Sequence, residues 1–144
     1  MFTLLLAGQL MLIPVAPAHV GVNVSFYCGC ARCCGVNSPE VGGHGHTTSG
    51  SWPVRGLTVA APRNIPFGTP VCIEGVGVRS VQDRGGSIVD NRIDVYVRDP
   101  RDPEGRYDFS HQRALELGRR ALRAWVLGTD PRDVISCTEL GTIF

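Results

Sequence analysis

The sequence predicts a small β-barrel, closed or nearly closed, with one helix beside it. Three observations carry this. The chain has 144 residues, which suits one domain and lets folding hide about two-thirds of the unfolded surface from water. It holds 18 Gly and 10 Pro but only 19% charged residues, a balance that favours short strands and tight turns over a helical bundle. About six short apolar or alternating runs follow one another, and closing such a sheet removes its exposed edges.

Val20–Tyr27 (VGVNVSFY) alternates as a half-buried strand does. Cys28–Gly50 reads as a loop rich in Cys, Gly, His and Thr. Leu57–Ala61 and Thr69–Ile73 are short strands, separated by a turn that two prolines and a glycine impose over Pro62–Gly68. Gly77–Asp83 and Arg92–Val97 are two more, with a Gly-Gly loop between them. Asp99–Arg106 is a polar surface turn. Ser110–Leu122 is the one convincing helix, with Ser110 as its cap, Ala114, Leu117, Ala121 and Leu122 at near-helical spacing, and Arg119, Arg120 and Arg123 near its C-terminal end. Ala124–Leu127 is a last strand, and its Trp125 a core residue.

Residues 1–18 are apolar and end in Ala16-Pro17-Ala18, the small-x-small pattern of a secretory leader. The absence of Lys or Arg after Met1, together with Gln9, Pro14 and Pro17, leaves a terminal strand or a partner-bound segment as the alternative. The run is too broken for a stable membrane span. Export places the protein outside the cytoplasm, secreted or in the cell envelope. The domain proper is then 19–144.

Net charge is +1 with no basic cluster, which excludes nucleic acid as a partner class. All 14 basic residues are Arg, which fits a coding bias as well as guanidinium forks reading carboxylates or sugar hydroxyls.

The densest chemical signal is Val81–Val97, VQDRGGSIVDNRIDVYV. Asp83 ends an apolar strand, Gly85 and Gly86 allow close approach of a ligand, and Asp94 sits inside an apolar alternating run. Burial and a neighbouring like charge both raise a carboxyl pKa, which is how an acid stays protonated near neutral pH. Taken locally, the same residues favour the plainer reading, a turn cap at Asp83 and an ion pair of Asp94 with Arg92 or Arg84.

Six cysteines fall into a cluster of Cys28, Cys30, Cys33 and Cys34, plus Cys72 and Cys137. His44 and His46 follow the cluster. These six clustered residues are a candidate metal set, a structural zinc site, although C-x-C-x-x-C-C is not a common zinc spacing. Export favours disulfides instead, in which case no cofactor is needed. His44 and His46 are otherwise groove residues beside Thr47–Ser49, and Trp52 a sugar-stacking ring.

Read together, YCGCARCCG (27–35), TTSG (47–50), TVAAPRNIPFGTPVCIEGVG (58–77), VQDRGGSIVDNRIDVYV (81–97) and SHQRALELGRR (110–120) resemble the bacterial 3D, or three-aspartate, domain family. The resemblance implies a six-stranded double-psi β-barrel, mainly β with one or two short helices, similar to the catalytic core of membrane-bound lytic transglycosylase A. It implies a partner, peptidoglycan, and an activity, cleavage of the MurNAc–GlcNAc bond with formation of 1,6-anhydroMurNAc ends. By position it makes Asp94 the general acid and base and Asp83 the second active-site aspartate. Thr47, Thr48, Ser49, Gly85, Gly86, Arg92 and His111 become substrate-binding candidates. Two departures stand out. The stretch that carries the family's first aspartate reads Ala60-Ala61-Pro62-Arg63, and Asp90 stands where the family often has Gly. The missing acid keeps two alternatives open: a non-catalytic glycan-binding or wall-loosening module, and a virion or structural component using the same barrel.

Overall fold

The structure, a computed structural model, describes residues 19–128 and Cys137. The expected leader at 1–18 lies outside the described residues. Six strands close into one barrel in the order β1-β5-β2-β4-β3-β6, with β6 returning to β1. They are β1 (Val20–Tyr27), β2 (Thr58–Ala60), β3 (Pro70–Ile73), β4 (Gly77–Asp83), β5 (Arg92–Tyr96) and β6 (Arg120–Val126). β1–β5 and β2–β4 pair in parallel and the other four ladders are antiparallel. This mixed, closed six-stranded sheet is consistent with the double-psi barrel that the sequence blocks imply.

The barrel closes because alternate residues of each strand are apolar and meet inside it. Val22, Val24, Val59, Val71, Ile73, Val81, Ile93 and Val95 form one buried cluster. β-Branched side chains dominate it, as they do on pleated, half-buried surfaces. A second cluster lies outside the barrel, where the disulfide Cys72–Cys137 packs with Trp125 and Leu127.

Two helices flank the sheet: a single turn, α1 (Ala31–Cys34), and α2 (Asp108–Leu117). The expected helix to Leu122 is too long. Gly118 takes φ 65°, a left-handed angle that stops α2 after Leu117, and Arg120–Leu122 enter β6. The near-helical spacing of Ala121 and Leu122 therefore belongs to a strand; Arg120, although in β6, still donates to the carbonyl of Leu117 at the end of α2 at 3.1 Å, whereas Arg123 pairs with Glu74. Ser110 is not the cap either. It is buried in the first turn, and its N–H and hydroxyl both donate to Asp102, which also accepts from the Phe109 N–H. Asp102, from the preceding turn, satisfies two of the open backbone donors of α2.

The loop after β4 holds one strained residue. Asp90 is the only non-glycine with positive φ among the described residues, at 55°. A side chain costs about 1 kcal/mol or more in that region, less for Asp than for most. Asp90→Gly is therefore expected to stabilise the fold by about 0.5–1 kcal/mol, read as a higher urea midpoint at unchanged slope. Asp90→Val should lower it.

Candidate active site

The site grows from the register of three strands. β1 and β5 run in parallel with Ser25 opposite Asp94, and β5 and β2 pair with Asp94 opposite Ala60. Ala60 in turn pairs with Asp83 at the end of β4, where the register shifts. Two carboxylates from different strands thus arrive at one end of the barrel on either side of β2.

Their surroundings differ. Asp83 accepts four hydrogen bonds. The Thr48 N–H, the Thr48 hydroxyl and the Arg84 N–H donate to Oδ1, each at 2.9 Å, and the Tyr27 hydroxyl donates to Oδ2 at 2.7 Å. Both oxygens are engaged and the carboxylate is fixed in place. Asp94 accepts one side-chain bond, from the Ser25 hydroxyl at 2.9 Å. Burial pushes its carboxyl up to about 6, with further upward push from Cys33 and Asp83 against the lowering effect of Ser25 and Arg119. Burial also raises the Tyr27 hydroxyl well above its usual range, with Asp83 adding to it, so Tyr27 stays a donor.

The ion pairs allowed by the sequence are not made. Arg84 donates to the carbonyls of Ala61 and Ile65 and stacks over Phe67 at 4.1 Å. Arg92 donates to the Ser87 carbonyl at 3.3 Å.

Two clefts meet at Asp94. One, of about 550 Å³, runs past Ser25, Ser87, Arg92 and Arg119. The other, of about 590 Å³, runs past Thr48, His44, His46, Asp83 and Gly85. Tyr27, Cys33 and Asp94 line both, so the acid stands at the junction of a continuous groove. A third cleft of about 510 Å³ extends it past Thr48, Arg84, Gly85 and Gly86 toward Pro62 and Asp90. Pro62 belongs to the stretch that lacks the third aspartate.

The expected substrate-binding residues distribute unevenly over this groove. Thr47, Thr48, Gly85, Gly86 and Arg92 line it. Thr47 is buried, and its hydroxyl is held inside the turn by the Ser51 carbonyl and by the hydroxyls of Ser49 and Ser51. Ser49 does not line the clefts; its N–H donates to the Gln82 carbonyl and anchors the turn. Gly85 has a steric reason, since a Cβ there would lie 2.7 Å from Ile88 Cγ1. Trp52 is exposed, its ring 4.3 Å from that of His46.

His111 is not in the groove. Its Nδ1 lies 3.3 Å from Cys30 Sγ and 3.6 Å from Cys33 Sγ. His44 and His46 do the reverse: they line the groove and stand apart from the cysteine cluster. Cys34 also turns away from that cluster and donates to the Cys28 carbonyl at 3.2 Å. Of the cysteines, Cys72 and Cys137 form a disulfide and the four clustered ones are thiols. Ser25, Tyr27 and Arg119 were not foreseen as site residues. Ser25 and Tyr27 carry a weak signal, polar atoms at alternate positions of an apolar strand; Arg119 carries none.

The two aspartates thus stand at one end of a closed six-stranded barrel, with Asp94 where two clefts meet. Residues 57–107, which contain β2 to β5 and both aspartates, match the family model of the 3D domain. Among solved structures, the E. coli lytic transglycosylase MltA, as a variant in an apo form, is similar at 25% identity and a TM-score of 0.45, covering 60% of this chain and 28% of that one. A second structure of MltA from E. coli gives 26% identity and 0.44 over 60% and 28%. This chain thus spans under a third of the length of those transglycosylases. No curated protein matches it.

Proposed function

We propose that the protein cleaves the glycan strands of peptidoglycan as a lytic transglycosylase, leaving 1,6-anhydroMurNAc ends. The observation that carries this reading is the contrast between the two aspartates. A glycosidase that uses water needs a second carboxylate free to act as base or nucleophile. Asp83 has both oxygens occupied by four donors, whereas Asp94 has one donor and an elevated proton affinity. One acid then serves both halves of the reaction. Protonated Asp94 donates to the glycosidic oxygen as the bond to the anomeric carbon breaks. The carboxylate so formed accepts the proton of the C6 hydroxyl, whose oxygen closes onto the anomeric carbon. No water is consumed and Asp94 ends protonated.

In this reading Asp83 holds Thr48 and Tyr27 in place and adds negative potential beside the oxocarbenium-like centre. Arg92 and Arg119, along the first cleft, suit the carboxylates of peptide stems. The disulfide between Cys72 and Cys137 suits an oxidising, extracytoplasmic setting. Among the described residues no helix is long and apolar enough to cross a membrane.

The test is a digest of purified peptidoglycan, with mass spectrometry of the released muropeptides. Anhydro ends are expected; water-terminated reducing ends would assign a hydrolase. Binding to the sacculus with no product would favour the glycan-binding module, the alternative that the absent acid near Pro62 keeps in view.

The pH dependence follows from Asp94. Its carboxyl must carry a proton to start the reaction, so kcat/KM is expected to fall as pH rises above about 6. Stability should move the same way. The folded value lies above the usual 3.8, so ionising Asp94 costs stability. That cost is absent below about 3.8 and complete above about 6. Asp94→Asn is therefore expected to melt at a higher temperature than wild type above pH 6, with the gap closing as pH falls toward 3.8. A gap that widened on acidification would contradict the assignment.

A further inference from the structure

We infer that Cys28, Cys30, Cys33 and His111 form a tetrahedral zinc site that clips the loop after β1 to the start of α2. The ligand atoms of these four side chains all lie within 4.8 Å of one another. Cys28 Sγ and Cys33 Sγ are 3.8 Å apart, and His111 Nδ1 is 3.3 Å from Cys30 Sγ and 3.6 Å from Cys33 Sγ. Tetrahedral zinc with sulfur at about 2.3 Å and nitrogen at about 2.0–2.1 Å has S···S edges of about 3.8 Å and S···N edges of about 3.6 Å. The Cys28–Cys33, Cys30–His111 and Cys33–His111 edges lie within about 0.3 Å of such a shell.

Competing explanations fit less well. A disulfide joins two sulfurs, and this cluster holds three, with a ring nitrogen turned toward two of them. The fourth nearby cysteine, Cys34, directs its sulfur to the Cys28 carbonyl instead. Simple packing accounts for buried thiols, since Cys28 and Cys30 are both buried. It does not account for an imidazole nitrogen from 78 and 81 residues away aimed at Cys33 and Cys30.

The surroundings bring the two segments together. Gly29 passes so close to Tyr107 that a Cβ would lie 2.5 Å from its ring. The Ser38 hydroxyl donates to the Gly29 carbonyl at 2.6 Å, and the Ala31 N–H to Glu40 at 2.9 Å. The three cysteines are therefore offered by a short segment whose own backbone is tied down. Four protein ligands close the shell, which makes the ion structural rather than catalytic. Its effect on the groove is indirect: Cys33 lines both clefts that meet at Asp94, and α2 supplies Ala114 and Leu115 to one of them.

The full chain, purified without chelator, is expected to hold about one zinc per molecule by plasma mass spectrometry. Cobalt(II) exchanged into it should show thiolate-to-metal charge transfer and tetrahedral ligand-field bands. Cys30→Ser should lose the metal and Cys34→Ser should keep it. His111→Cys should keep it too, with the cobalt spectrum shifted toward four thiolates, so metal loss in Cys30→Ser is not merely failure to fold. A metal-free protein whose alkylation map shows disulfides among Cys28, Cys30, Cys33 and Cys34 would overturn the inference. So would retention of the metal in Cys30→Ser. None of these readings depends on cleavage of peptidoglycan.

Discussion

Asp94→Asn is expected to lower the release of anhydro-ended muropeptides by at least about 10²–10⁴-fold, the usual worth of a positioned acid or base. The reason is chemical rather than architectural. Asparagine is close to isosteric, and its carbonyl oxygen can still accept the Ser25 hydroxyl that now meets Asp94 Oδ1. The amide cannot give a proton to a glycosidic oxygen or take one from the C6 hydroxyl. Binding to the sacculus should persist, because Thr48, Gly85, Arg92 and Arg119 are untouched along the groove. A loss of activity with retained binding and a higher melting temperature above pH 6 is a combination that structural damage does not produce. Asp83→Asn should behave differently. An amide offers one acceptor oxygen, whereas Asp83 uses two to receive Tyr27, Thr48 and Arg84. The groove wall itself would loosen.

The second large effect concerns stability. Replacing Cys72 and Cys137 with alanine is expected to cost about 4 kcal/mol, because the bridge closes a chain separation of 65 residues and so restricts the unfolded ensemble strongly. Both cysteines are also buried, with Trp125 and Leu127, in a cluster on the outside of the barrel. The alanine pair loses that packing in addition. Denaturant unfolding of the double variant reads the cost directly. Little change in midpoint would mean that the unfolded chain is already compact around this bridge.

Much of the barrel was legible because strands announce themselves by period and by their breaks. β1 and β4 have the bounds expected, and β5 ends one residue early, at Tyr96. The error at α2 has a specific origin. Gly118 lies inside an otherwise helical-looking run, and the same Ala121 and Leu122 that continue a helical stripe also suit a strand. Only tertiary pairing of β6 with β1 and β3 decides between them. Ser110 misled for a related reason: it is a cap-type residue, but the cap comes from Asp102, eight residues earlier.

The site was half legible. Asp83 and Asp94 stand out because acids are rare inside apolar strands. The residues alone leave their division of roles open and the family resemblance assigns it; what the structure adds is the contrast in donors, with Thr48, Arg84 and Tyr27 all on Asp83. The cysteine cluster pointed to a metal or to disulfides, but its histidine was sought nearby, at His44 and His46. Topology supplies His111 instead, by folding α2 against β1. Asp90 shows the opposite case. An acid where the resembled family often carries Gly reads as an added charge, yet φ at Asp90 is positive, which favours Gly through backbone geometry alone.

The central claim is that one carboxyl, Asp94, both gives and takes the proton. The most direct measurement is digestion of peptidoglycan in H₂¹⁸O by the wild-type protein, with mass spectrometry of the new glycan ends. The account predicts anhydro ends that carry no ¹⁸O and that vanish in Asp94→Asn. New ends carrying one ¹⁸O, lost in the same variant, would contradict it and make the protein a hydrolase with water as the nucleophile.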